Sequence, residues 1–376
     1  MKINLTGYIT PNTSYGLVTL NFLKGLTDLK HEVSIFDNIG QGDSSFGEFI
    51  PYVRDSSLLS RNFDAEAPCL SIRHQFDMAQ SIGSGRRIGY TFFEVNKLTP
   101  MEVHHLRSLD DLIVPSKWAA EVCSSMGLHV PLVCPAGYDD QIFKPIEYRP
   151  SSCVFLSVGK WEVRKQQDMI VYAFNRAFEN SDNVSLWMSC DNRFIPQFVN
   201  DKKKYYKELL GDKLKLLGRV DTHFDLARIM QQSYCFVAPS LAEGWNLPLL
   251  ESMGCGKLNI ATNYSGHTEF CTEGTTYLLE PTGLVPAIDD MWFKENSLTN
   301  CGEWCTYDVD QLVESMRMVY EKYNSGEVLN TAGIKRAKEF TWKESSNKME
   351  KCISITEIGG MTQRDQNMGF YDENNS

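Results

Sequence analysis

No run of roughly 18 or more consecutive apolar residues occurs in this chain of 376 residues, so no membrane-crossing helix is expected. The opening segment Met1–Thr10 is broken by polar residues and lacks the apolar core of a secretory leader. An excess of basic charge is also missing: 37 Lys and Arg stand against 48 Asp and Glu, a net charge of −11. That balance disfavours a general nucleic-acid binder, which carries a basic face, but leaves room for a local basic cleft that takes phosphates. There is no internal repeat and no low-complexity tract. Cysteine is present but unpatterned. The eleven are scattered and odd in number, and the one close pair, Cys301 and Cys305, has no second pair of Cys or His to complete a zinc site. They read as reduced thiols in apolar segments of a cytoplasmic protein.

What is present is enough chain for two domains with real cores. Short apolar runs alternate with helix-like segments. The runs Ile3–Ile9, Val33–Phe36, Cys69–Ile72, Ile88–Phe93, Asp111–Val114 and Leu132–Cys134 read as strands, with a helix-like Leu17–Leu26 after the first and a polar, Gly-rich stretch over 40–60. A second series runs through Cys153–Val158, Val184–Met188, Leu214–Leu216, Cys235–Ala238 and Leu258–Ala261. Such alternation predicts an α/β protein of parallel sheets with both faces covered, and ligands sit at the carboxyl ends of those strands. The series breaks once, at Phe143–Ser152, where Pro145 and Pro150 block helix and central strand alike. The reading is a first domain over 1–148, a second over 149–340 and a C-terminal segment over 341–376. Helices are predicted at Leu312–Tyr323, Ile334–Phe340 and 343–355, and residues 357–376 read as a loosely held tail.

The most informative stretch is Pro239–Gly256, which places two carboxylates, Glu243 and Glu251, eight residues apart. The strand-like Cys235–Ala238 precedes it. Pro248 suits the first turn of a helix, and Gly254 or Gly256 can end it. Glu243 therefore falls in the loop after a strand, and Glu251 about one turn into a short helix. The free N–H groups of a helix start form an anion site, and each carboxylate can accept from hydroxyls. Sugar, phosphate and ribose in one line outline a nucleotide sugar.

The segment resembles the Glu-x7-Glu motif of the retaining glycosyltransferases of the GT-B fold, the family-four or group 1 type. Four further segments are similar to that family in its own order: Val114–Val122, Pro135–Pro145, Phe155–Lys165 and Phe340–Trp342. Five such matches over about 114–342 carry the resemblance together. It implies two Rossmann-like domains whose parallel sheets face across a cleft, the first for the acceptor and the second for the donor, with a C-terminal helix returning to the first. It also implies transfer of a sugar from a UDP- or GDP-sugar to a hydroxyl of a glycan, lipid-linked or protein-linked acceptor.

Residue by residue, the resemblance sets Lys160 and Lys165 beside the leaving diphosphate, with Arg164 able to share the role. Here Lys160 replaces the family's Arg, and Gln166 replaces its Gly. Glu243 takes a sugar hydroxyl and Glu251 the ribose hydroxyls. The backbone of Gly244, Trp245, Asn246 and Leu247 lies along the donor, and relatives often have Phe-Gly at the Trp245–Asn246 positions. Val220 matches the position whose backbone meets the base. In the first domain Gly16 resembles the loop glycine near the donor phosphate, and His74 a histidine close to the donor sugar. Glu94 reads as an acceptor-side acid or base. With such cations no metal and no other cofactor is expected. Asp308 and Asp310 precede a predicted helix and read as a cap.

A nucleic-acid-base glycosyltransferase of the same fold, an epimerase of similar architecture and a non-catalytic nucleotide-sugar module are the alternatives. The expected partners are a nucleotide-sugar donor and a hydroxyl acceptor, with nucleic acid disfavoured and peripheral membrane contact left open.

Overall fold

A computed structural model of the protein describes residues 1–36, 44–129, 131–179, 181, 183–220, 222–294, 300–355, 357–358 and 361–362. Most of the tail over 357–376 lies outside the described residues. They form two compact units. The first comprises Met1–Phe93, Pro100–Gly137 and the chain from Trp342 on; the second comprises Glu94–Thr99 and Tyr138–Thr341.

The first unit alternates β1 (Lys2–Gly7), α1 (Ser14–Asp28), β2 (Glu32–Phe36), α2 (Ile50–Leu59), β3 (Cys69–Ile72), β4 (Arg87–Tyr90), α3 (Pro100–Arg107), β5 (Asp111–Val114), α4 (Lys117–Ser125) and β6 (Leu132–Val133). The sheet order is β2-β1-β3-β4-β5-β6, and every pairing is parallel. Leu5 lies opposite Leu70, and Leu70 opposite Ile88. These strands read as apolar runs because helices cover both faces of a parallel sheet. Thr13 caps α1 and Ser116 caps α4, each side chain accepting from an N–H three residues on.

The second unit contains β7 (Cys153–Lys160), α5 (Gln167–Phe178), β8 (Val184–Asp191), α6 (Pro196–Leu210), β9 (Leu214–Leu216), α7 (His223–Gln232), β10 (Cys235–Ala238), α8 (Leu247–Gly254), β11 (Leu258–Thr262), β12 (Tyr277–Leu279), β13 (Pro281–Pro286), β14 (Glu303–Tyr307), α9 (Val309–Ser325) and α10 (Thr331–Ala337). Its parallel sheet runs β12-β11-β10-β7-β8-β9. Phe155, Phe174, Phe178, Val171 and Met316 form part of the core between this sheet and the α5–α9 layer. The chain then rejoins the first unit as α11 (Trp342–Ser354), which packs along α1. A Cβ on Gly25 would meet Ser346 Oγ at 1.8 Å, so the two helices approach as closely as they do because that position carries no side chain.

Three features depart from the sequence reading. The polar stretch over 40–60 contains α2. An antiparallel ribbon, β13 with β14, was not predicted. Strand β7 runs two residues further than expected and ends on Lys160. Asp308 does cap α9, its carboxylate accepting from Asp310 N at 2.9 Å.

Each sheet reverses its winding once. In the first unit the reversal lies between β1 and β3, and in the second between β7 and β10. Beyond the carboxyl ends of such a strand pair the connecting loops diverge and leave a crevice.

Candidate active site

In the second unit the loops at the reversal are the two that carry the sequence motifs. After Lys160 the chain makes a short turn at Val163–Lys165, and Gln166 takes a left-handed conformation, φ 57°, before α5 begins. After β10, Pro239–Asn246 leads into α8, and Asn246 is again left-handed at φ 75°. Glycine is at ease in that region, and both positions are ones where the resembled family has Gly.

The two loops are joined by charge. Lys165 Nζ donates to Glu243 Oε1 at 2.7 Å, and Arg164 Nη1 lies 3.0 Å from Glu243 Oε2. Ser240 Oγ donates to Glu243 Oε1 at 2.8 Å. The Glu243 backbone N–H donates to Ser265 Oγ at 2.8 Å. Glu243 is buried, which opposes its charge, yet Arg164 and Lys165 hold its carboxyl well below the usual range. Glu162 completes the cluster, 3.1 Å from Arg164 Nη2 and 2.7 Å from Lys160 Nζ. Burial opposes the Glu162 charge too, and Arg164, Lys165 and Lys160 together lower its pKa. Lys160 also stands over the Trp292 ring, 5.1 Å from its centroid, with Phe194 on a second side at 6.0 Å.

Glu251 is buried in α8, eight residues on, and no hydrogen-bond partner of its carboxylate is found among the described residues. Burial, with Asp139 adding repulsion, pushes its pKa up to about 8. Trp245 turns into an aromatic cluster, 5.1 Å from the Phe270 ring and 5.9 Å from Phe340. Trp245 Nε1 and Asn246 Nδ2 are buried without a partner among the described residues. Gly244 is approached by the Ser265–Gly266 turn so closely that a Cβ on Gly266 would meet Gly244 O at 2.2 Å. Leu247 is the first residue of α8. Val220 lies four residues past β9, beyond a segment held by Leu217 N to Met188 O at 2.8 Å.

The first unit brings Gly16 and His74 to its own reversal, after β1 and β3. Gly16 sits in the first turn of α1, where a Cβ would strike Thr10 O at 1.9 Å. His74 stacks on Phe76 with ring centroids 5.2 Å apart and lies 4.2 Å from the Tyr15 ring. Burial lowers the His74 pKa against a raising effect of Asp77. Tyr15 is itself fixed: its hydroxyl donates to Phe92 O and accepts from Phe92 N, each at 2.9 Å.

Glu94 reads from the sequence as an acceptor-side acid or base. It belongs to the second unit, with its carboxylate 3.6 Å from Arg164 Nη2 and its carbonyl accepting from Trp304 Nε1 at 2.8 Å. Sequence reasoning also passed over Glu162, Ser240 and Ser265. Only Ser240 left a trace, as a hydroxyl three residues before Glu243. Among the described residues no group of three or more His, Cys, Asp or Glu could hold a metal ion. No helix among them is long and apolar enough to cross a membrane.

A family model described as Glycosyl transferases group 1 matches residues 152–292. The chain is 26% identical over 149 residues to a phosphatidylinositol N-acetylglucosaminyltransferase component from Arabidopsis thaliana, covering 39% of this chain and 32% of that protein. The match thus spans about a third of that relative's length. Among solved structures it is similar to Anabaena Alr3699/HepE in complex with UDP-glucose, at 14% identity and a TM-score of 0.67 over 94% of this chain and 99% of that one. It is also similar to a sucrose-phosphate synthase from Thermosynechococcus elongatus, at 14% identity and a TM-score of 0.68 over 93% and 98%. These likenesses identify the fold as GT-B.

Proposed function

We propose that this GT-B glycosyltransferase, related to the group 1 family, moves a sugar from a nucleotide diphosphate sugar to an acceptor hydroxyl and retains the anomeric configuration. The observation that carries the reading is the pairing of Lys165 with Glu243 at 2.7 Å, with buried Glu251 on the helix that follows. Lys160 and Lys165 stabilise the charge that builds on the leaving diphosphate. Glu243 accepts from a sugar hydroxyl, and Glu251 from the ribose. The backbone of Gly244, Trp245, Asn246 and Leu247 runs along the diphosphate and sugar, at a helix start suited to anions. Val220 offers backbone to the base. In the first unit Gly16 and His74 hold the equivalent place and act on the sugar side.

The transfer proceeds on one face. The bond from the anomeric carbon to the phosphate oxygen breaks as the bond to the acceptor oxygen forms. The acceptor's proton passes to the departing phosphate. A UDP-sugar is the donor of choice, because the Anabaena protein was solved with UDP-glucose. A cytoplasmic setting belongs to the same proposal and rests on eleven unbridged cysteines, ten of them buried.

The test is a thermal-shift panel of UDP, GDP and ADP and their common sugars, since a ligand that binds only the folded state raises Tm. Proton NMR of the product then reads the anomeric configuration. A panel without any shift, or a product of inverted configuration, counts against the reading.

A further inference from the structure

The loop after β7 holds three cations, but they are not equivalent. The side chains of Lys160 and Lys165 are 40% and 20% exposed, whereas that of Arg164 is 7% exposed. Both terminal nitrogens of the Arg164 guanidinium are also engaged within the protein. Nη1 donates to Ala242 O at 2.5 Å and faces Glu243 Oε2 at 3.0 Å. Nη2 faces Glu162 at 3.1 Å and Glu94 at 3.6 Å. The Arg164 carbonyl accepts from Leu241 N at 2.8 Å, so backbone and side chain grip the same turn.

One of its three carboxylates arrives on a separate segment. Glu94–Thr99 is strapped to β14: Asn96 Oδ1 accepts from Glu303 N at 2.8 Å, Asn96 Nδ2 donates to Glu303 Oε2 at 3.2 Å, and Trp304 holds the Glu94 carbonyl. A Cβ on Gly302 would meet the Val95 Cβ at 2.4 Å, so strap and ribbon are in close contact. Cys305 N in turn donates to Leu241 O at 3.1 Å, which ties the ribbon to the turn that Arg164 grips.

We propose that Arg164 is a positioning residue, not a third ligand of the diphosphate: its guanidinium fixes the Leu241–Glu243 turn and aims the Glu243 carboxylate, while Glu94 and Glu162 hold the guanidinium in place. A planar fork with five N–H groups suits this task, because it can face several acceptors at fixed angles. A phosphate reaching Arg164 would have to displace both Glu162 and Glu243, which are buried; Lys160 and Lys165, more exposed, each face only one of the two. The role deepens the transferase reading given above and rests on it for its catalytic consequence alone.

The charge state of Glu243 depends on every group that faces it. Arg164 and Lys165 lie on the loop after β7, with Glu162 and Lys160 beside them. Ser240 precedes it on its own loop, Glu94 reaches the cluster from the strap, and His267 acts from the segment after β11. Removing the guanidinium leaves burial and the two acids to oppose the carboxylate, with Lys165 as its remaining close cation.

The test uses the full chain without ligand. Carbon-13 NMR of labelled glutamate carboxyls follows Glu243, assigned by Glu243→Gln, through a pH titration of the parent and of Arg164→Met. The parent resonance is expected to stay in its ionised position through the range where an ordinary glutamate takes up a proton, and that of Arg164→Met to titrate at higher pH than the parent's. Steady-state kinetics should then show kcat at pH 7 lowered about 100-fold, donor KM within a few-fold, and a new acid limb in kcat/KM. Identical titrations in the two proteins, or a raised donor KM with unchanged kcat, overturn the proposal. Should Arg164→Met fail to fold, Arg164→Lys keeps a cation without the fork, and a full return of the parent kcat and pH profile in that variant overturns it too. The titration needs no turnover, so an inactive parent counts against the transferase reading and leaves this one standing on its own measurement.

Discussion

Lys165 and Glu243 lie 78 residues apart in the chain and meet at 2.7 Å. The topology accounts for it: β7 and β10 are neighbours in the sheet, so the loops at their carboxyl ends share one crevice. A lysine so placed is neutralised at rest and can turn its charge outward when an anion arrives. Lys165→Ala is therefore expected to lower kcat by about 100-fold or more, the loss seen when one donor to a developing anion is removed, with a smaller effect on donor KM. Rates at saturating donor measure this directly. An unchanged kcat removes Lys165 from the leaving-group role.

Glu251 gives a pH dependence whose sign can be worked out. Its pKa is raised by burial, then by Asp139, to about 8 in the folded chain, against 4.5 for an ordinary glutamate. The folded state holds that proton more tightly than the unfolded one. The stability the group contributes is full below about pH 4.5 and is lost as pH rises through 8. On the proposed reading the ribose hydroxyls donate to the ionised form, so donor binding expels the proton. Affinity for a UDP-sugar is expected to weaken by up to about tenfold per pH unit below 8, with protons released on binding. Calorimetry from pH 6 to 8 in two buffers of different ionisation enthalpy measures both effects. Glu251→Gln should bind more weakly and lose the slope; the same slope in that variant would place the proton elsewhere.

Much of the framework was legible because parallel strands are buried on both faces and appear as short apolar runs. Cys69–Ile72, Asp111–Val114, Leu214–Leu216 and Cys235–Ala238 coincide with β3, β5, β9 and β10. Helix α2 did not stand out because it buries little, only Val53 and Ser56 in the interior, and so carries no strong apolar period. Strand β13 is exposed along its whole length and has proline at both ends, so its pairing with β14 follows from tertiary contact rather than pattern. In the site the motif residues were visible, but burial was not. Arg164 and Glu162 sit in a charged turn of a kind that is ordinarily solvated, and nothing local in the sequence says that Glu94 comes to lie beside them.

Trp245 separates a packing role from a binding one. Its ring is buried against Phe270 and Phe340. Trp245→Ala should cost about 3–5 kcal/mol by leaving a cavity in that aromatic cluster. Trp245→Phe, which refills most of it, should cost markedly less and bind the donor within about threefold of the parent, because on this reading the backbone rather than the indole meets the donor. Urea unfolding and donor titration of the two variants check this. A large loss of donor affinity in a stably folded Trp245→Phe would give the indole a direct role.

Asn246 carries two costs at once. Its φ of 75° lies in the left-handed region, where a non-glycine residue is disfavoured by about 1–2 kcal/mol, although Asn bears this better than most. Its amide Nδ2 is also buried without a partner among the described residues, a further burden of about 1–3 kcal/mol. A residue that costs stability twice, at the start of the helix carrying Glu251, is better explained by a ligand than by packing. Asn246→Gly removes both burdens and is expected to melt higher than the parent, by several degrees, while losing affinity for the donor sugar relative to the free nucleotide. Asn246→Val keeps the backbone strain without the amide and should lose stability and affinity together. Melting curves and titrations with UDP and a UDP-sugar test the pair. If Asn246→Gly melts higher and binds both ligands as the parent does, the amide is relieved of any part in reading the sugar, and the departure from glycine at this position has no ligand to explain it.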